Sequence, residues 1–283
     1  MDMDKVLAQG RPIFAAAIMA LGIEHLVCAQ VTGRSLPVIP WVPAYPALGY
    51  LVGAGLIAAG ICIVANIQAR RAAALLGVFF LVSSVVLQVP QAVAKPFDIG
   101  IRTGVLEPLA LAGAAFTLAR TVEPDRIYLQ PWAGMLDKLL STGRYLFAFS
   151  CIVFGIDHFP ILRFIASLIP PWFPGGMFWA AFTGAALVTA GIGMAVKKMD
   201  RWGGGLLGLM FLIWFLFLHL PRVMTYPRSH NPDEWSSAFI ALAMCGACWI
   251  VACDSLRVHV TTLANPSSAR QVPLDSARHV AGD

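Results

Sequence analysis

Polar and apolar residues are sorted along this chain into eight long apolar stretches joined by short polar segments. The stretches run roughly 12–30, 46–65, 72–91, 103–120, 144–162, 176–196, 203–222 and 236–254. Each is close to the ~20 residues that an α-helix needs to cross the hydrocarbon core of a bilayer. The pattern predicts an all-α, polytopic membrane protein with eight transmembrane helices.

Composition agrees with the pattern. Hydrophobic residues make up 58% of the 283 and charged residues only 12%, about half the charged share of a soluble domain. The net charge of +5 would hint at nucleic acid in a soluble chain. Here the basic residues sit mostly between apolar stretches, so topology explains them and no nucleic-acid partner is expected. With eight spans, fourteen of the twenty lysines and arginines fall on the side of the N-terminus, leaving six on the other. Both termini are therefore expected in the cytoplasm. The six cysteines lie in apolar segments rather than clustered in polar loops, which argues against a disulfide framework. Met1 to Gly10 is polar and leads directly into a span, so no cleaved leader is expected.

The chain also repeats itself. Gly22-Ile23-Glu24-His25 recurs as Gly155-Ile156-Asp157-His158, 158 − 25 = 133 residues later. Gly10-Arg11 answers to Gly143-Arg144, Pro40-Trp41-Val42-Pro43 to Pro171-Trp172-Phe173-Pro174, and Pro90 to Pro221. Four spans per repeat return the chain to its starting side, so the repeats are parallel. The expected architecture is two tandem four-helix bundles related by a pseudo-two-fold along the membrane normal. The units are 1–120 and 144–254, with a cytoplasmic linker at 121–143 and a loose polar tail at 255–283. In the linker, Trp132, Met135, Leu136, Leu139 and Leu140 form one apolar stripe, the pattern of an interfacial helix. Outer loops rich in proline, with Trp41 and Trp172, should stop helices and anchor at the headgroups. The polar segment Tyr226–Trp235 should end at the start of span 8.

Within this frame the costly residues are the ionisable ones inside spans. Glu24 and His25, like Asp157 and His158, are adjacent and so point about 100° apart around their helices. Each is better placed to meet a neighbouring span than its own sequence neighbour. Candidate partners near the outer ends of spans 3 and 7 are Gln88, His219 and Arg222, and an arginine beside Asp157 would keep it charged. Three readings stay open: a satisfied packing cluster, a proton-handling or ligand-binding site, and metal or haem ligation by His25, His158 or His219. No short metal-ligand motif is present, so no metal site is assigned. Cys245 and Cys248 in span 8 form a conceivable dithiol, but small residues at these places suit close helix packing equally. Glu107, ahead of Pro108 in span 4, has no acidic counterpart in span 8, where Ile240 stands.

Taken together, Gly155–Phe159, Ile169–Gly175, Thr183-Gly184, Ala190-Gly191, Leu218–Arg222 and Glu234–Phe239 resemble the DoxX-like family of four-helix membrane proteins, here as two tandem units. The resemblance spans nearly the whole chain outside linker and tail. It is stronger in the second half, since Gln88 and Gln91 replace the histidine and arginine in the first. It implies a four-helix bundle per unit and a link, through some relatives, to quinone chemistry or membrane-bound redox-stress complexes.

On that basis the chain is expected to be a multi-pass protein of a bacterial inner membrane, serving as a membrane subunit of a redox or quinone-linked system. Its partners would be the lipid bilayer, a quinone, and other membrane or periplasmic redox proteins; haem is the lesser cofactor candidate. Asp157, His158, Glu24 and His25 would handle protons, while His219, Arg222 and Gln88 would hold the head group. The alternatives are a non-catalytic scaffold for partner proteins and a lipid or small-molecule carrier.

Overall fold

The computed structural model describes residues 3–28, 46–122, 133–197, 200–225 and 233–264, and among these there is helix and no strand. Eight of the helices are long and apolar enough to cross a membrane. Helix is the expected form because an isolated segment in hydrocarbon must satisfy its own backbone hydrogen bonds. Span 1 is the helix Gly10–Cys28, preceded by the short helix Met3–Leu7; span 2 is Pro46–Ala65. Span 3 begins at Ala69–Val82, passes through a π-helical stretch, Ser83–Gln88, and ends as Val89–Ala94. Span 4 is Ile99–Thr121, span 5 Gly143–His158 and span 6 Gly176–Ala195. Span 7 repeats the plan of span 3: Asp200–Trp214, a π-helical Phe215–His219, then Leu220–Thr225. Span 8 starts at Asp233, where the sequence places it, and its helix runs on to Ala264, past the apolar stretch.

The two π-helical stretches share a cause. Proline at 90 and at 221 stands two residues beyond the end of each stretch and has no N–H to give to the preceding turn. The turn widens there, and polar side chains bond to backbone carbonyls beside it. Gln91 Nε2 donates to Leu87 O at 3.0 Å, and Ser84 Oγ donates across to Val105 O of span 4 at 2.8 Å. The residues just past the ends of spans 2 and 6 also match, with Asn66 and Lys197 both left-handed at φ 59° and 56°.

Each span packs on its sequence neighbours, but the broadest contacts include others. Span 1 lies mainly against spans 2 and 8, span 5 mainly against spans 6 and 4, and spans 4 and 8 lie against each other. Glycines set these crossings. A Cβ on Gly143 would stand 2.6 Å from Gly113 O, and one on Gly246 2.8 Å from Gly10 O, so spans 5 and 4 touch backbone to backbone as spans 1 and 8 do. Gly22 against Gly53 O (2.7 Å) and Gly155 against Gly184 O (2.5 Å) do the same for spans 1–2 and 5–6. Without a hydrophobic drive between helices in lipid, such close approach supplies the attraction through van der Waals contact. Gly155→Leu should therefore cost about 1–3 kcal/mol or more by forcing spans 5 and 6 apart. Gly55, with nothing within 4 Å of its missing Cβ, should accept alanine freely. Thermal unfolding in detergent distinguishes the two, and a Gly155→Leu protein that melts like the parent would refute the close crossing.

The linker helix, Ala133–Ser141, docks by its apolar stripe: Leu140 is buried, Leu136 and Leu139 pack on the core, and Met135 stays exposed. Trp132 lies outside the described residues, as do residues 29–45 with Trp41 and the prolines at 37, 40 and 43. Asp137, off the stripe, is joined to Arg70 of span 3 at 2.7 Å. At the same end of the protein as this linker, Arg144 is buried and holds Asp254 of span 8 at 3.0 Å and Met194 O of span 6 at 3.3 Å. Its counterpart Arg11 donates instead to Ile63 O at 2.8 Å and to Asn66 Oδ1 at 2.9 Å.

Candidate functional site

The two acid–histidine pairs are built alike at the backbone. His25 Nδ1 is 2.8 Å from Leu21 O, and His158 Nδ1 is 2.7 Å from Phe154 O, in each case the carbonyl one turn back on the same helix. A carbonyl only accepts, so in the neutral ring Nδ1 carries the hydrogen and Nε2 keeps the lone pair. The acids turn elsewhere, as their 100° offset requires. Glu24 accepts from Ser236 Oγ of span 8 at 2.8 Å. Asp157 takes both a 3.2 Å bond from Arg102 Nε and a bond from the same guanidinium's terminal nitrogen, so the pair is bidentate.

Arg102 lies in the first turn of span 4. Asp98 opens that turn by accepting from Ile101 N at 3.1 Å, and Arg102 also donates to Pro96 O at 3.2 Å. The arginine beside Asp157 thus comes from the first half of the chain. Arg222 makes a separate bidentate pair with Glu234, its Nε 3.0 Å from Oε2, tying the end of span 7 to the start of span 8. Each guanidinium matches a carboxylate fork to fork, the geometry that makes a partly dry ion pair tolerable.

Between these pairs lies a cavity of about 570 Å³, bounded by spans 4 to 8 and by the short helix Leu162–Leu168. Asp157, His158, His219 and Arg222 all line it, together with Glu107, Glu234, Thr103, Thr183, Ser237 and Trp214. The rest of the wall is apolar, including Phe154, Phe211, Leu187 and Met244, and Ile161, Phe164, Ile165 and Leu168 contribute from the short helix and its approach. His219 reaches the wall as the last residue of the π-helical stretch of span 7. An extra residue in a turn rotates every later side chain of the helix, and such bulges recur at functional sites.

The first-half residues are placed differently. Glu24, His25 and Gln88 are buried, at 1%, 0% and 4% exposure, and none lines this cavity. Gln88 lies against Gly104 of span 4, where a Cβ would stand 3.2 Å from its Oε1. Sequence reasoning missed Arg102, Glu234 and Trp214. The signal for Arg102 is its position at the outer end of span 4, although it lies in the other half of the chain from Asp157. Cys245 and Cys248 are free, buried thiols. Among the described residues, no group of three histidine, cysteine, aspartate or glutamate side chains is arranged to hold a metal ion. Set against family models, curated proteins and solved structures, the chain matches none.

Proposed function

We propose that this is a DoxX-like membrane protein that binds a lipid-soluble small molecule between span 4 and the spans of its second half, as a membrane subunit of a redox or quinone-linked system. The observation that carries the reading is the cavity, whose mostly apolar wall also gathers carboxyl, imidazole and indole groups. Its volume lies within the usual ~300–1,000 Å³ of small-molecule sites. A quinone is the member of this ligand class that the family resemblance implies, with protons handled by Asp157 and His158 and the head held by His219 or Arg222. Under the same reading the halves 1–120 and 144–254 are parallel repeats about an axis along the membrane normal, with both termini cytoplasmic. The matched glycine crossings of spans 1 and 8 and of spans 5 and 4 support that relation.

In purified protein a short-chain benzoquinone should bind at one site, and alanine at His158 and His219 together should abolish binding. Unchanged binding in a folded double variant would remove the proposal. A non-catalytic scaffold is favoured by a different observation, that Arg102 and Arg222 are both engaged by carboxylates and tie spans together. It expects no quinone binding, and partner proteins retained by the double variant in a pull-down.

A further inference from the structure

We infer that the ligand's head group is uncharged and carries a hydroxyl. The inference rests on the reading above that the cavity binds a lipid-soluble molecule, and it names the chemistry of the head. Charge is the first ground. Arg102 and Arg222 are each taken by a carboxylate, and a third carboxyl, Glu107, stands in the same wall. The two arginine–carboxylate pairs therefore offer no surplus positive charge to an anionic headgroup, and an ionised Glu107 repels one.

Hydrogen bonding is the second ground. Trp214 Nε1–H is fully buried and has no partner among the described residues, although the indole lines the cavity. It can only donate, so it needs an acceptor. His158 presents the opposite need. Its Nδ1–H is spent on Phe154 O, which leaves Nε2 as a lone pair with no partner among the described residues, again in the cavity wall. A carbonyl or an ether could answer Trp214 but not His158. A hydroxyl-bearing head supplies both an accepting oxygen and a donated O–H. Such a hydroxyl comes either from a phenol, as in a reduced quinone, or from an aliphatic lipid alcohol.

The test uses the full chain in zwitterionic phosphatidylcholine nanodiscs, titrated with four probes of matched alkyl chain: a hydroquinone, its dimethyl ether, the parent quinone and a primary alcohol. The hydroquinone or the alcohol should bind at least about tenfold more tightly than the ether, the worth of one to two satisfied hydrogen bonds. Whichever of the two binds better assigns the source of the hydroxyl. Because only the hydroxyl can donate to His158 Nε2, His158→Phe should shrink the advantage over the ether severalfold, whereas Trp214→Phe should weaken hydroxyl and ether probes alike. Equal affinity for hydroxyl and ether probes in the parent protein overturns the inference alone, because binding itself survives. Displacement of the probes by anionic phosphatidylglycerol also overturns it. Failure of all four probes to bind overturns the underlying reading as well.

Discussion

Alanine at Arg144 is expected to destabilise the protein by about 3–5 kcal/mol, the range for breaking a buried ion pair by removing one partner. Arg144 and Asp254 are 2% and 8% exposed and 3.0 Å apart, and the same guanidinium reaches Met194 O. The substitution would leave Asp254 without its counter-charge and untie spans 5, 6 and 8 at one end. Replacing both partners together by apolar residues of similar size should cost much less, since no stranded charge remains. Equilibrium unfolding in mixed micelles measures both variants. A single variant within about 1 kcal/mol of the parent, on the scale where ~1.4 kcal/mol is a factor of ten, would show that the pair contributes little. Arg11, which meets a carbonyl and an amide oxygen rather than a carboxylate, should show a smaller loss on the same substitution.

The second large effect is expected at Arg102. Its bidentate bond to Asp157 joins the two halves and fixes one side of the cavity, but Arg102 is 32% exposed, so water screens part of the interaction. Alanine there should cost about 2–3 kcal/mol and weaken binding of the ligand proposed above together with stability, because Asp157, at 7% exposure, is left in the cavity wall uncompensated. Asp157→Asn alone should be damaging too. The double variant Arg102→Gln with Asp157→Asn should recover most of the stability, so the two substitutions will be strongly non-additive in a double-mutant cycle. Additive losses would mean that the two side chains do not act as a pair.

These two arginines show why the site was less legible than the fold. Arg144 belongs to the repeated Gly-Arg element that the sequence displays, yet its acid, Asp254, lies 110 residues away in another span. Arg102 is 55 residues from Asp157 and sits in the other half of the chain. The repeated acid–histidine motif marks His158 and the outer end of span 7 marks His219, and the two line one wall. Glu24 and His25 carry the same motif, but Glu24 faces Ser236 of span 8 and neither residue reaches that wall.

The sequence by itself determined whatever local physics controls. An apolar stretch of about 20 residues crosses a bilayer as a helix, because only a helix satisfies the backbone within a single segment; a barrel needs many paired strands. Eight such stretches and the presence of a helix in the linker are legible from composition and periodicity alone. The tertiary structure decided partners. Residues adjacent on a helix point 100° apart, so the neighbour each acid meets depends on which spans cross, and glycine contacts between spans 1 and 8 and between spans 5 and 4 settle those crossings. Only that packing brings Arg102 to Asp157, Arg222 to Glu234, and Trp214 with His158 to one cavity.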